Sequence, residues 1–326
     1  MPTRRGSYWL VVVAGWIVLA GAAVAYARLK SIPLAAAAPV AAAFLLEFPF
    51  YILAGFDVPR RTLAAWKKER TAVFLTLTSL APWLLCITAT GRFALPPLLL
   101  LAAIAISVSC WYLLWPASPV SDLLFLALLA AVILSKIFNV LYPSPLPKVA
   151  VSYLGHIMLI RTGALSLFLI RGNIPASFHF IPSRREWLTG LTHFAMLLPV
   201  AGAAYFALGL FALRPRPQNI AIALGTFFGI LWVVALSEEF FFRGLLQNWL
   251  SAWTRNSTFA LIATSLLFGA VHLGFRFHSE YPNWRFATVA AIAGLFYGLA
   301  ARKAGSIQAS MVAHALTVTV WRVFLH

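Results

Sequence analysis

Charged side chains are scarce in this chain. Asp, Glu, Lys and Arg make up 10% of its 326 residues, while 62% of the residues are hydrophobic. Soluble domains carry about 25% charged residues, which keep their surfaces in contact with water. A chain with so few charges cannot cover a soluble fold with polar groups. The composition therefore excludes an ordinary soluble protein and predicts an integral membrane protein.

Acidic residues are rarer still. Eight Asp and Glu stand against 25 Lys and Arg, giving a formal net charge of +17. A basic excess can indicate nucleic-acid binding when it forms a stripe on a soluble domain. Here the basic residues lie in short segments between apolar runs. We expect them to set the membrane topology and to contact anionic lipid, with no nucleic-acid partner.

Cysteine is nearly absent. Cys86 and Cys110 are the only two, and both lie inside apolar runs. The sequence therefore contains no framework of paired cysteines from which disulfides could be predicted.

Long apolar runs dominate the remainder. A membrane-spanning helix needs about 20 mainly apolar residues, and the runs predict an all-α, polytopic transmembrane helix bundle of about eleven helices. The predicted spans are Tyr8–Ala27, Ile32–Gly55, Ala72–Thr90, Leu95–Trp115, Leu123–Tyr142, Val149–Ile170, Trp187–Leu213, Ile220–Leu246, Thr258–Leu273, Phe286–Ala301 and Ile307–Leu325. The first run has a basic leader like a signal peptide, but it is longer than a typical apolar signal region, so we expect a retained helix.

Basic residues also predict orientation. Arg4 and Arg5 precede the first span, and a basic loop with Arg60 and Arg61 follows the second. Because loops rich in Lys and Arg stay in the cytoplasm, we expect a cytoplasmic N-terminus in the cell (inner) membrane. Residues 172–186 mix aromatic and basic side chains, which is typical of a segment in the membrane interface. We predict three parts: a transmembrane module of unknown role (1–171), an interfacial linker (172–186) and a C-terminal part (187–326) with several ionisable residues inside apolar runs.

Ionisable residues inside apolar helices usually face a bundle interior or a wet cavity. Glu238, Glu239 and Arg243 occur together in "SEEFFFRGLLQ". On a helix, Glu239 and Arg243 are four residues apart and can pair. Glu238 is rotated by about 100° from its neighbour, so we expect it to point elsewhere. A structural ion pair with a boundary carboxylate is the simpler interpretation of these three residues.

Two histidines follow in separate apolar helices. His272 ends "FGAVH", with Phe268 four residues earlier on the same face, and His314 lies in "SMVAHALTV". A lone intramembrane histidine is usually a packing residue. A carboxylate and an imidazole together can deprotonate a water molecule, and a second imidazole can donate to a developing oxyanion.

In this order the motifs resemble those of the CPBP family, which groups CAAX prenyl proteases with bacteriocin-processing and Abi-like membrane proteins. "EEFFFR" is similar to its EExxxR pattern, "FGAVH" to FxxxH, and His314 stands where HxxxN begins. The resemblance implies an intramembrane peptide hydrolase of the glutamic type. Glu238 would activate water with His272, His314 would form the oxyanion site, and Glu239 and Arg243 would order the helix. No cofactor is implied.

One position departs from the family pattern. Residue 318, where HxxxN has its asparagine, is Val318. Losing one oxyanion donor typically lowers the rate by about 10²–10³. The donor could instead come from Thr317 or Thr319, or from Asn248 or Arg322 on other parts of the chain. Alternatively, the protein has weak activity or none.

Other functions remain open. Glu238, His272 and His314 could form a zinc site with an open position, although HExxH is absent. The main prediction is an endopeptidase that cleaves a membrane-anchored or membrane-inserted peptide, with lipid and that peptide as partners. A non-catalytic immunity or scaffold protein is the alternative, and a transporter is a weaker one because inverted repeats are not evident.

Overall fold

The computed structural model describes residues 5–91, 93–147, 149, 151–172, 179–210, 219–274 and 282–325. Within these ranges all regular structure is helical, which confirms the predicted all-α class. Contacts divide the chain into two compact units, Met1–Ile174 and Pro175–His326. The three functional parts assigned from the sequence stay a prediction, and residues 173–178 of the predicted linker lie outside the described residues.

The first unit contains eight helices in its described residues. They are α1 (Arg5–Lys30), α2 (Leu34–Leu53), α3 (Asp57–Ala64), α4 (Lys68–Thr88), α5 (Leu95–Leu114), α6 (Pro119–Leu134), α7 (Phe138–Leu141) and α8 (Ser152–Ser166), which continues as a π-helical turn over Leu167–Arg171.

The described part of the second unit begins with α9 (Arg184–Ala207). The following helices are α10 (Asn219–Gly229), α11 (Leu236–Glu239), α12 (Asn248–Thr254), α13 (Ser257–Val271), α14 (Trp284–Ala304) and α15 (Ile307–Val320). Between α10 and α12 the helical chain is unbroken, because π-helical segments at Ile230–Ala235 and Phe240–Gln247 join α10, α11 and α12.

Nine helical stretches among the described residues are long and apolar enough to cross a membrane, and the chain is a multi-pass membrane protein. The sequence predicted about eleven spans, two more than the described residues contain. The predicted span Leu123–Tyr142 breaks, because α6 ends at Leu134 and Lys136 adopts a positive φ of 56°. α6 has 16 residues, which is fewer than the about 20 that a membrane-spanning helix needs. The orientation expected from Lys and Arg stays a prediction.

Two buried ion pairs organise the first unit. Glu47 Oε1 accepts from Arg161 Nε at 2.7 Å, and Glu47 Oε2 accepts from Arg161 Nη2 at 3.3 Å. Asp122 accepts from Arg171 Nε at 2.7 Å and from Nη2 at 2.6 Å, and Tyr112 donates to the same carboxylate. Both oxygens of each carboxylate are paired, so the hydrogen bonds offset the cost of removing these charges from water. The two ion pairs therefore connect helices that are distant in the chain.

In the second unit, the start of α9 is held to the turn before α15. Ser183 and Glu186 form a reciprocal cap at the N-terminus of α9, an arrangement that satisfies otherwise unpaired backbone amides. The Ser306 hydroxyl donates to Glu186 Oε1, and Gln308 Nε2 donates to the carbonyl oxygen of His179 at 2.7 Å. These contacts place α9 beside α15.

Glycines allow the helices of this unit to approach one another closely. A Cβ atom added at Gly269 in α13 would lie 2.6 Å from the carbonyl oxygen of Ala287 in α14. One added at Gly190 in α9 would lie 2.6 Å from the carbonyl oxygen of Ala309 in α15. Small residues at such positions are typical of helix packing in membranes, where association depends on close van der Waals contact.

We expect Gly269→Ala to lower the melting temperature of the purified protein. The added methyl group meets rigid backbone, and such overpacking costs about 1–3 kcal/mol. Gly225→Ala in α10 is the matched control, because a Cβ atom there meets no atom within 4 Å. Equal melting temperatures for the two variants would contradict this packing argument.

Candidate active site

Glu238 and Glu239 lie in the short helix α11, between the two π-helical segments. π-Helical turns are rare and occur frequently at functional sites. The two adjacent glutamates are rotated by about 100° from each other about the helix axis and have different surroundings.

Glu239 is fully buried and joins two other elements. Its Oε1 atom accepts from Arg243 Nη1 at 3.1 Å and lies 2.7 Å from His314 Nδ1. Arg243 Nη2 also donates to the carbonyl oxygen of Gly294 in α14 at 2.9 Å. The predicted Glu239–Arg243 pair is therefore present, and it extends to a histidine and to a third helix.

The imidazole of His314 is held on several sides. The ring of Tyr297 stacks against it at 4.8 Å between centroids with an interplanar angle of 10°. Phe268 meets it edge-on at 5.7 Å, and the Arg243 guanidinium lies 4.6 Å from the Phe268 centroid. Since Nδ1 contacts Glu239, these contacts fix the direction in which the opposite nitrogen, Nε2, points.

Glu238 lies on that opposite side. Its Oε2 atom is 3.9 Å from His314 Nε2, and its side chain is 32% exposed whereas that of Glu239 is 0% exposed. A separation of 3.9 Å is too long for a direct hydrogen bond. Glu238 is thus a half-buried carboxylate facing a positioned imidazole, and it is rotated away from Arg243 as the sequence predicted.

His272 joins this group from the end of α13. Its Nδ1 atom lies 2.6 Å from the carbonyl oxygen of Phe268, and its ring is 4.8 Å from the Phe268 ring. It lines the same cavity as His314. Phe268 therefore contacts both histidines and Arg243, so the supporting role predicted for it agrees with its position.

A cavity of about 260 Å³ adjoins the two histidines. It is bordered by α9, α13, α14 and α15 and is mostly apolar. His272, His314, Tyr297 and Thr317 supply the main polar side chains of its lining. Binding sites of this kind combine apolar walls with a few convergent polar groups.

Val318 lines this cavity, so the departure from the family pattern lies at the site itself. Of the four substitute donors considered, Thr317 lines the cavity. The Thr317 and Thr319 hydroxyls both donate to the carbonyl oxygen four residues earlier, but Thr319 is not among the lining residues. Asn248 donates to the carbonyl oxygen of Gly244, and Arg322 is exposed. The geometry therefore favours Thr317 over the others.

The same residues were considered as zinc ligands. Among the described residues, no group of three or more His, Cys, Asp or Glu side chains is arranged to hold a metal ion. Glu238, His272 and His314 therefore do not form a ligand cluster in this arrangement.

Residues 219–320 match the family described as type II CAAX prenyl endopeptidase Rce1-like. The matched segment covers less than a third of the chain and is similar to that family. The match is consistent with the CPBP family and confirms the resemblance drawn from the motifs. Glu238, His272 and His314 all lie within the Rce1-like segment, and at family level the match is to membrane endopeptidases. No curated protein and no solved structure matches the chain.

Sequence reasoning missed Tyr297. Its aromatic ring covers the face of His314 and lies 5.5 Å from the Arg243 guanidinium. Gly294 and Gly298 flank it in α14, and a Cβ atom at either would crowd Arg243 or Gln247. A tyrosine between two glycines in an apolar helix was a signal of close approach, but the partner could not be inferred from the sequence.

We expect Arg243→Ala to destabilise the protein strongly. The change leaves Glu239 buried without its cation, and breaking such a pair costs about 3–5 kcal/mol. Thermal unfolding of the purified protein measures the effect, with the exposed Lys303→Ala as the control. Equal unfolding temperatures for Arg243→Ala and Lys303→Ala would show that the Glu239–Arg243 pair does not contribute to the stability of the fold.

Proposed function

We propose that the second unit is an intramembrane endopeptidase that cleaves a membrane-anchored or membrane-inserted peptide with water activated by Glu238 and His272. The observation that carries this proposal is a partly exposed carboxylate, Glu238, 3.9 Å from the imidazole of His314, which lines an apolar cavity together with His272. These are the groups that a direct attack of water on a peptide carbonyl requires.

Glu238 is the best candidate for the general base. It is accessible to water, whereas Glu239 is buried and already accepts from Arg243 and contacts His314. Groups separated by more than 3.5 Å are often bridged by a water molecule, and the 3.9 Å between Glu238 and His314 fits one. Water held there would lie against both the base and a potential donor.

The two histidines differ in the group that their Nδ1 atoms contact. The Phe268 carbonyl oxygen can only accept, so His272 Nδ1 carries a hydrogen, and neutral His272 then has a lone pair on Nε2. His314 Nδ1 instead contacts the carboxylate of Glu239. A carboxylate oxygen accepts, so His314 Nδ1 also carries a hydrogen, and His314 donates from Nε2 only when it carries a second one. Its Nε2 atom lies 3.9 Å from Glu238, so we assign His314 the contact with the oxyanion. His272 then assists Glu238 in moving the proton.

In the proposed reaction, Glu238 takes a proton from water and the resulting hydroxide attacks the peptide carbonyl. His314 stabilises the oxyanion, the carbon–nitrogen bond breaks, and the proton passes to the leaving amine. The products are a carboxylate and an amine, and no acyl-enzyme forms.

The direct test is cleavage of membrane-anchored peptides by purified protein. We expect Glu238→Gln and His272→Ala each to reduce kcat by about 10²-fold or more, since general acid–base catalysis contributes about 10²–10⁴-fold. Glu69→Gln, at an exposed position in the first unit, is the control for an unrelated glutamate. Cleavage that is equal in all four proteins would refute the proposal.

The role of Thr317 can be tested with a matched pair. Thr317 and Thr319 each donate to the carbonyl oxygen four residues earlier, at 2.8 and 2.7 Å, but only Thr317 of the two lines the cavity. We expect Thr317→Val to lower kcat by about 10²–10³, the typical effect of one oxyanion donor. Thr319→Val should change kcat little. Equal kcat values in the two variants would exclude Thr317 as the substitute donor.

Val318 favours a second candidate, a non-catalytic membrane protein that uses the same cavity for immunity or as a scaffold. The valine places an apolar side chain at the cavity where the family pattern has an amide. A cellular phenotype that survives Glu238→Gln unchanged would support this candidate. Loss of the phenotype would support the enzyme.

A further inference from the structure

We propose that residues 179–181, which we call the clip, set the spacing between Glu238 and His314, and that Trp232 and Gln308 are the positioning residues through which the clip acts. This inference rests on the proposed function, because it treats Glu238 and His314 as reacting groups. It also assigns a role to part of the segment that the sequence predicts as an interfacial linker.

Two consecutive backbone carbonyls of the clip accept from two different elements. Gln308 Nε2, in the first turn of α15, donates to the carbonyl oxygen of His179 at 2.7 Å. Trp232 Nε1, in the π-helical segment Ile230–Ala235, donates to the carbonyl oxygen of Phe180 at 3.0 Å. Because covalent geometry holds consecutive residues at a set distance, the two bonds limit how far α15 and the π-helical segment can shift against each other.

Both elements lead directly to the proposed reacting groups. The helical chain is unbroken from Trp232 to Glu238, and α15 is unbroken from Gln308 to His314. Each donor precedes its reacting group by six residues, which is about 9 Å along an α-helix. Since helices carry displacements as rigid elements, a shift at the clip changes the 3.9 Å gap between Glu238 Oε2 and His314 Nε2.

The clip is anchored to the start of α9. His179 Nε2 lies 3.3 Å from Glu186 Oε1, and His179 Nδ1 lies 3.0 Å from the carbonyl oxygen of Ile181. Pro182, which follows the clip, is buried, and its ring fixes the backbone angle φ. The clip therefore has a defined backbone position from which it can hold two other elements.

The two donors have little freedom to move. Gln308 is fully buried. The indole of Trp232 stacks on the ring of Phe228 at 5.2 Å between centroids, with an interplanar angle of 25°. Side chains locked by packing hold a reacting geometry more precisely than mobile ones. Both hydrogen bonds to the clip therefore come from groups that are fixed on their own elements.

The test removes each donor and keeps its approximate shape. Trp232→Phe loses the indole N–H but retains a ring beside Phe228, and Gln308→Met keeps the chain length but loses the amide. We expect each variant to lower kcat for a membrane-anchored peptide by about 10- to 100-fold with little change in KM, since a misplacement of about 1 Å can cost about 10²-fold in rate.

Trp253→Phe is the matched control. Trp253 also stacks on an aromatic ring, that of Trp249, at 5.9 Å with an interplanar angle of 21°. It lies in α12 rather than in either element that the clip joins, so this variant should keep the kcat of wild type. An equal loss of activity in Trp253→Phe, or wild-type kcat in both clip variants, would overturn the positioning role.

A spectroscopic measurement separates this inference from the proposed reaction. NMR spectra of the purified full chain with nitrogen-15-labelled histidine report the imidazole shifts of His314, whose signals are assigned by their loss in His314→Gln. In an otherwise wild-type chain, Glu238→Gln should change these shifts, because the carboxylate lies 3.9 Å from Nε2. The comparison is then repeated in each clip variant and in the control.

If the clip sets the spacing, the effect of Glu238→Gln on the His314 shifts should be lost in Trp232→Phe and in Gln308→Met and kept in Trp253→Phe. That result supports the clip even if the protein cleaves nothing and the proposed function fails. An effect of wild-type size in both clip variants would show that the spacing does not depend on the clip, whatever the protein cleaves.

Discussion

The second unit depends on one buried carboxylate. Glu239 has no exposed surface, and its Oε1 atom contacts both Arg243 and His314. An ionised group inside a membrane protein is costly unless it is paired, so these partners must stay in place for the helices to pack. Arg243 in turn binds the backbone of α14 and lies against Phe268 of α13. One charge therefore connects four helical elements.

This arrangement also gives two adjacent glutamates different surroundings. Glu239 contacts Arg243 and His314 and stabilises the bundle. Glu238 lies on the other side of His314, keeps a third of its surface exposed and has no hydrogen bond at the 3.9 Å that separates it from that imidazole. Identical side chains differ here because their surroundings differ, which is the usual origin of divided roles at sites with paired acids.

The ion pairs of the first unit show the structural use of buried charge. Both oxygens of Glu47 are paired with Arg161, and both oxygens of Asp122 are paired with Arg171. Fully paired carboxylates of this kind have little capacity left to bind water or substrate. Glu238 differs from these carboxylates because its side chain is 32% exposed and lies 3.9 Å from the Nε2 atom of His314.

The helical class, the membrane setting, the pairing of Glu239 with Arg243 and the separate direction of Glu238 were predictable from the sequence, because each depends on composition or on spacing along a single helix. The length of α6 was not, since the positive φ of Lys136 that follows its end has no clear signature in an apolar run. Nor could the sequence reveal that Tyr297 stacks on His314, that Glu239 reaches His314, or that Thr317 and Val318 face a cavity while Thr319 does not. These contacts join residues far apart in the chain, and only the packing of helices at close-approach glycines decides which side chains meet.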